Sequence, residues 1–95
     1  MKLVVTKSDS KGKKLKAVFT DEYGKTKTIH FGQSGATDFT LGASEDQRKR
    51  YRERHSKENW NNYQSAGSLS RYILWGESRS REENIKAFKK RFNLD

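Results

Sequence analysis

The sequence has no cysteine, no proline and no long apolar run. Without cysteine the chain can form no disulfide and offers no thiolate to a metal ion, which suits a reducing compartment. No apolar stretch approaches the roughly 20 residues of a membrane-spanning helix, and the one near the N-terminus is too short for a secretory signal peptide. The absence of proline is unusual and carries no functional implication. The sequence therefore predicts a protein that is neither secreted nor embedded in a membrane.

Apolar residues are also scarce, at 31% of the 95 residues, whereas 35% of the residues are charged. A chain of this length forms one small domain with a modest core, and this composition lies close to that of chains that do not fold alone. Two Trp, four Tyr and five Phe residues favour folding. Because the apolar residues also recur with regular periods, we expect residues 1–95 to form a single small basic domain.

The charge is strongly unbalanced, with 21 Lys and Arg residues against 12 Asp and Glu residues and a net charge of +9. Such a field attracts nucleic acid, anionic membrane surfaces or acidic protein faces. Every cation up to Ala43 is a lysine, and all the arginines come later. Lysine is a hydrated point charge, whereas arginine forks onto phosphates and stacks on rings. We therefore expect any specific anionic contact in the second half of the chain.

The first half has the two-residue period of half-buried strands. A short apolar run and two alternating stretches carry this pattern, namely Leu3–Val5, Lys14–Phe19 and Lys25–Phe31. Turn residues separate them, which predicts a three-stranded antiparallel meander over about residues 2–31. A glycine-containing loop follows over residues 32–43. Its length indicates either a binding loop or a strap held down by Phe39.

The second half has helical periodicity, which predicts helices over about residues 44–57, 68–75 and 80–92. Capping boxes fit two of the N-termini, formed by Ser44 with Gln47 and by Ser80 with Glu83. We expect the core to combine the inner sheet face with Ile73, Leu74, Trp75, Ile85, Phe88 and Phe92. The first helix adds little beyond Tyr51, so it should be partly exposed. The predicted fold class is α+β, a three-stranded antiparallel β-meander followed by two or three short helices.

The segment Gln47–Tyr63 interleaves six cations with aromatic rings, a combination that suits phosphates and exposed bases. The candidate nucleic-acid-binding residues are Arg48, Lys49, Arg50, Arg52, Arg54, Lys57, Trp60 and Tyr63. The cations would contact phosphates, and Trp60 or Tyr63 would stack on a base. Arg48 and Arg52 lie on a different helical stripe from Arg50 and Arg54, so one stripe can bind while the other is solvated.

The same segment has a simpler interpretation as a solvated face whose cations pair with acidic neighbours. Glu53 and Lys57 have a favourable spacing for such a pair. Trp60 fits either a stacking platform or the core, whereas the apolar surroundings of Trp75 favour the core. Six cations against three acidic residues between Ser44 and Lys57 favour an anionic partner.

Catalytic arrangements find little support in the sequence. Four polar residues loosely echo the hairpin-and-helix pattern of ββα-metal nucleases, namely His30, Asp38, His55 and Asn59. They supply few metal ligands with loose spacing, whereas a catalytic divalent ion usually requires carboxylates. The loop Gly32–Gly35 lacks the Gly-Lys-Ser/Thr ending of a phosphate-binding P-loop. We therefore assign no catalytic, cofactor-binding or metal-ligating residues.

Short motifs along the chain resemble a known viral family. In order they are Thr28-Ile29-His30-Phe31-Gly32, Gly35, Asp38-Phe39-Thr40, Arg50-Tyr51, Arg54-His55, Asn59-Trp60, Ala66-Gly67, Ser70-Arg71 and Leu74-Trp75. The chain is similar, over roughly Lys13 to Leu94, to short basic proteins of large double-stranded DNA viruses of phycodnavirus and mimivirus type, and to related marine sequences. Family members often have Tyr where Phe39 stands and a proline soon after the second Trp. The link from Gly76 to Ser80 is therefore expected to differ here.

The resemblance implies a viral context but no mechanism, since no activity is established for that family. It also implies that residues His30 to Trp75 form one structural unit. In that unit a polar junction between sheet and helices would be formed by His30, Asp38, Tyr51 and His55.

The leading hypothesis is a non-enzymatic viral protein that binds DNA or RNA through phosphates with little sequence specificity. The alternative is a minor virion structural or assembly protein that binds an acidic capsid or membrane surface. A metal-dependent nuclease is the third hypothesis. We expect the protein inside an infected host cell, in the virion, or in both.

Overall fold

A computed structural model describes all 95 residues and shows the predicted α+β fold. The strands are β1 (Lys2–Lys7), β2 (Lys13–Thr20) and β3 (Thr26–Gln33), and the helices are α1 (Glu45–Arg54), α2 (Ala66–Leu69) and α3 (Arg81–Arg91). A 3-10 turn covers Phe39–Leu41, and a π-helical turn over Ser70–Leu74 continues α2. No helix has the length and apolar character needed to span a membrane.

The three strands form one antiparallel sheet in the order β1-β2-β3, which confirms the meander. Leu3 pairs with Phe19 and Leu15 with Phe31, so the large apolar side chains share one face. The carboxylate of Asp21 closes the second turn by accepting the backbone N–H groups of residues 23 and 25. Two short side-chain hydrogen bonds therefore fix the register of β2 against β3.

One hydrophobic core lies between this sheet face and the helices. Its buried members are Leu3, Ala17, Phe19, Phe31, Leu69, Ile73, Leu74, Phe88 and Leu94. Trp75, Ile85 and Phe92 pack against it from the edge, as the helical spacing predicted. By contrast, α1 contributes no buried residue. The core therefore rests on α2, the π-helical turn and α3, and α1 is attached to it from outside.

The loop before α1 is a strap and not an open binding loop. Phe39 is 2% exposed, and Arg79 lies with its guanidinium carbon 4.1 Å from the centre of the ring. Arg79 also donates hydrogen bonds to the carbonyl oxygens of Phe39 and Ala43. The guanidinium thereby closes the strap over its own aromatic anchor.

Two helix boundaries differ from the predicted ones. The first helix ends at Arg54, three residues before the predicted end at Lys57, because the chain turns at His55. The second begins at Ala66, where Ser65 caps it by accepting the N–H of Ser68. The capping box of α1 is complete. That of α3 is half formed, because the Glu83 carboxylate accepts the hydroxyl of Ser78 instead.

The end of the π-helical turn is packed against α3 with no space to spare. Asn84 is buried and donates its amide hydrogens to the carbonyl oxygens of Ile73 and Ser78, at 2.9 and 2.7 Å. Gly76 lies beside it, and a Cβ atom there would come within 2.3 Å of the Tyr72 carbonyl oxygen. Only glycine fits this contact between the two helical segments.

The substitution Gly76→Ala is expected to lower the free energy of unfolding by about 1–3 kcal/mol, because a backbone atom must move to admit the methyl group. Urea unfolding measures this change. Gly67→Ala is the matched control, since its Cβ would meet only the flexible end of Glu58, at 3.1 Å. The control should leave stability unchanged or slightly raised. Equal losses in both variants would contradict the packing explanation.

Candidate nucleic-acid interface

The helix α1 is attached through one face, where Tyr51 stacks on Trp75 and Arg48 donates a hydrogen bond. Arg48, Tyr51, Arg52 and His55 are half-buried and have the spacing of one helical face. The Tyr51 ring stacks on Trp75, with ring centres 4.6 Å apart and planes 7° apart. The His55 ring lies on the same face of the chain, with its centre 4.4 Å from that of Tyr51. This face normally carries aliphatic residues. Here stacking and cation contacts replace them.

Glu58 completes this aromatic stack. Its Oε2 atom lies 2.6 Å from Nδ1 of His55, just beyond the end of α1. Burial raises the pKa of Tyr51 to about 12, and the charge of Glu58 adds to the rise. Tyr51 therefore stays neutral throughout the physiological range and acts as a packing residue.

Arg48 also has a structural role. Its Nε donates to the carbonyl oxygen of Gly76 at 2.7 Å, and its guanidinium faces the Phe39 ring at 5.4 Å. Glu45 lies 3.9 Å from its Nη1. Arg48 thus connects α1 to the strap and to the end of the π-helical turn, and little of it is left for a partner.

The exposed surface of α1 and the turn that follows it carry the free cations. Lys49, Arg50, Arg54 and Lys57 are exposed, and none of them forms a salt bridge. The predicted pair between Glu53 and Lys57 is absent, because α1 ends before Lys57 and the helical spacing is lost. These four residues therefore form a solvated surface without ion pairs inside the protein. We call Lys49, Arg50, Arg54 and Lys57 the outer cation row.

The two aromatic candidates are covered. The Arg71 guanidinium lies over the Trp60 ring, and Trp60 is half-buried. Tyr63 packs between Phe19 and Phe92, with ring centres 5.7 and 5.4 Å away. Both rings already have neighbours on their faces, so neither offers an open platform for a base.

Arg52 points away from the outer cation row toward two arginines that sequence reasoning did not select, Arg71 and Arg91. The pKa of Arg52 is lowered, first by burial and then by the charges of neighbouring Arg48 and Arg91. Arg71 comes 19 positions later in the sequence. No local spacing could have joined these residues, because the packing of the π-helical turn between α1 and α3 brings them together.

Asp38 forms the polar junction between sheet and helices. Its side chain is 1% exposed and accepts hydrogen bonds from Lys14 Nζ at 2.6 Å, Arg81 Nη2 at 3.3 Å and the Thr40 N–H at 2.8 Å. Burial alone would raise the pKa of Asp38. The bonds from Lys14 and Thr40 and the charges of Lys14 and Arg81 outweigh burial, so the pKa falls below its ordinary 3.8.

His30 does not belong to this junction, contrary to the expectation from the resemblance. It lies on the other sheet face, where its Nδ1 is 2.8 Å from the Ser8 hydroxyl. The strand period explains this, since Phe31 points into the core and its neighbour must point outward.

No group of three or more His, Cys, Asp or Glu side chains could hold a metal ion. The side chains suggested for a nuclease are therefore not assembled into a metal site.

Comparison with known proteins places the chain among uncharacterised relatives. Residues 3–55 match a family of unknown function, DUF5754, over a stretch that runs from β1 to the end of α1. The chain is 45% identical over 80 residues to an uncharacterized protein of Acanthamoeba polyphaga mimivirus, an alignment that covers 77% of the chain and 80% of the relative. This relative confirms the viral context implied by the motifs. No solved structure matches the chain.

The substitution Asp38→Asn is expected to lower the free energy of unfolding by about 3–5 kcal/mol at neutral pH, because it leaves buried Lys14 without a counter-charge. The folded pKa of Asp38 is depressed, so its contribution is present above pH 3.8 and is lost as the pH falls through the folded pKa. The difference between variant and wild type should therefore shrink between about pH 5 and pH 2.

Thermal unfolding across that pH range measures the effect. Asp9→Asn is the control, because Asp9 also has a lowered pKa, caused by its own backbone hydrogen bond and by Lys16, but is exposed. It should change stability little at any pH. A difference for Asp38→Asn that does not depend on pH would contradict an ionised buried carboxylate.

Proposed function

We propose that this chain, which belongs to the family of unknown function DUF5754, is a non-enzymatic protein that binds nucleic acid through phosphates and reads little of its sequence. The main observation in support of this proposal is the outer cation row, which lacks carboxylate partners. Salt bridges engage only four of the 21 Lys and Arg side chains. Cations that the fold leaves unpaired and exposed release counterions when they meet phosphates, which is the main source of non-specific affinity.

The surroundings of the outer cation row favour phosphate contacts over base contacts. Arg50 and Arg54 are exposed and lie one helical turn apart on α1. Trp60 and Tyr63 are covered by other side chains, so the stacking that usually adds affinity for single strands is missing. Binding should therefore depend on charge and vary little with base sequence.

The exposed lysines of the sheet add to the same field. They are Lys2, Lys7, Lys11, Lys13, Lys25 and Lys27. They are spread over strand ends and turns and do not lie along one helix face. We assign them a role in steering nucleic acid toward the protein, since long-range attraction depends on summed charge. Close contact is assigned to the outer cation row.

The test is fluorescence anisotropy with labelled single-stranded DNA, single-stranded RNA and duplex DNA across a salt titration. Affinity should fall linearly in a log–log plot, and mixed and scrambled sequences should bind alike. The triple variant Arg50→Gln, Arg54→Gln, Lys57→Gln should reduce the slope by roughly 2–3, because three phosphate contacts are lost.

The matched control is Lys2→Gln, Lys25→Gln, Lys27→Gln, which removes the same charge from exposed positions of the sheet. It should change the slope by much less. If both triple variants lose affinity equally, net charge alone is responsible and the outer cation row is not an interface. If the wild type binds none of the three probes at low salt, nucleic-acid binding is refuted and an acidic protein surface in the virion becomes the hypothesis to test.

A further inference from the structure

A cleft lined with cations lies between α1, the π-helical turn and the C-terminal part of α3. It encloses about 720 Å³, a size typical of small-ligand sites. Its basic residues are Arg52, Arg71, Lys90 and Arg91, which come from three different elements. We call this the arginine cleft. It lies on the side of α1 that faces the body, so it is distinct from the outer cation row.

The acidic residues of the cleft do not neutralise it. Glu77 and Glu83 are the carboxylates in its lining, and neither forms a salt bridge. Glu83 instead accepts the Ser78 hydroxyl at 2.6 Å. Two carboxylates thus stand against four cations; the charge of Glu77 acts on Arg52, and Glu83 is engaged by the Ser78 hydroxyl. The cleft therefore keeps a net positive charge.

Several guanidinium donors of the cleft-lining arginines are buried without a hydrogen-bond partner. They are Nε of Arg52 and Nε and Nη1 of Arg71. A buried guanidinium is poorly hydrated, so its remaining nitrogens attract an anion more strongly than those of a surface arginine. The pKa of Arg71 is lowered, first by burial and then by the charge of Arg52. Arg52 and Arg71 carry like charges that repel each other here, which lowers the stability of the free protein.

Aromatic rings hold two of these arginines in place. The Arg71 guanidinium lies over Trp60, with Tyr72 further away at 5.3 Å, and the Arg91 guanidinium lies 4.7 Å from the Tyr72 ring. Tyr72 is the ring that both arginines share. The ring packs in turn on Phe88 and Phe92, with centres 6.0 and 5.7 Å away, and so belongs to a rigid aromatic group. Cation–π contact on a fixed ring reduces the freedom that the arginines would lose on binding.

We propose that the arginine cleft is a phosphate-binding site, in which Arg52, Arg71 and Arg91 surround one phosphate group and Lys90 lies at the rim. Guanidinium forks match phosphate oxygens in geometry and charge, and Arg52 and Arg71 have donors that the free protein leaves unpaired. The phosphate can belong to a small molecule or to the end or backbone of a strand. The site does not depend on the outer cation row.

The first experiment measures thermal unfolding and isothermal titration with inorganic phosphate and with AMP, against chloride at the same ionic strength. A saturable rise in the unfolding temperature is expected for the wild type. Arg52→Gln should weaken binding about tenfold or more, because a charge-assisted bond is lost. It should leave the free protein as stable or more stable, since like-charge repulsion is relieved. A merely structural arginine would give the opposite change in stability.

Lys86→Gln is the control, with the same loss of charge at an exposed position of α3 that does not line the cleft. It should keep phosphate binding. Arg91→Gln provides a second test at an exposed position and should weaken binding in the same way as Arg52→Gln. Equal loss in Lys86→Gln and Arg52→Gln would overturn the proposal.

Oligonucleotides with a 5′-phosphate or a 5′-hydroxyl distinguish the sources of the phosphate. Preference for the 5′-phosphate, lost in Arg52→Gln, assigns a terminal or free phosphate. Arg52-dependent binding of both oligonucleotides, without binding of inorganic phosphate or AMP, assigns the strand backbone. If no probe binds in an Arg52-dependent way, the proposal is refuted even where the outer cation row binds nucleic acid.

Discussion

One buried carboxylate holds the parts of this small fold together. Asp38 lies in the strap, and its partners come from β2 through Lys14 and from α3 through Arg81. A charge with 1% exposure is stable only when its partners are in place, and leaving it unpaired costs several kcal/mol. Any arrangement of the chain that separates the strap from β2 or α3 leaves Asp38 without a partner and therefore incurs that cost. A chain with only 31% hydrophobic residues thus uses an ion pair to select one packing of its layers.

The same shortage of apolar residues explains how α1 is attached. A helix with no buried residue cannot be held by aliphatic burial, so a stack of Tyr51 on Trp75 and a hydrogen bond from Arg48 to Gly76 hold it instead. This arrangement divides the cations of one helix by role. Arg48 has protein partners, whereas Lys49, Arg50 and Arg54 are exposed without an ion pair. Structural charge and exposed charge are thereby carried by a single ten-residue helix.

Most of the fold could be predicted from local patterns, because strands, caps and helix faces depend on neighbours in sequence. The alternation that revealed β3 also held the information that His30 faces outward, since it adjoins the buried Phe31. The end of α1 could not be predicted, because it depends on His55 meeting Glu58 and on the stack below it. The binding residues were the hardest part of the protein to predict from the sequence. The sequence indicated a basic helix, but only packing shows which of its cations remain unpaired.

The cations gathered in the arginine cleft link the stability of the free protein to the binding of an anion. The net charge of +9 repels itself and so opposes the compact state of a protein with a small apolar core. The arginine cleft concentrates part of this repulsion around Arg52 and Arg71. An anion between them removes the repulsion, so the free energy that destabilises the free protein reappears as binding free energy. Salt then acts in two directions, since it screens the repulsion within the protein and also weakens the attraction to phosphate. The rise in stability with added salt and the fall in phosphate affinity that we expect would therefore have one physical origin, the cations that this fold leaves without partners.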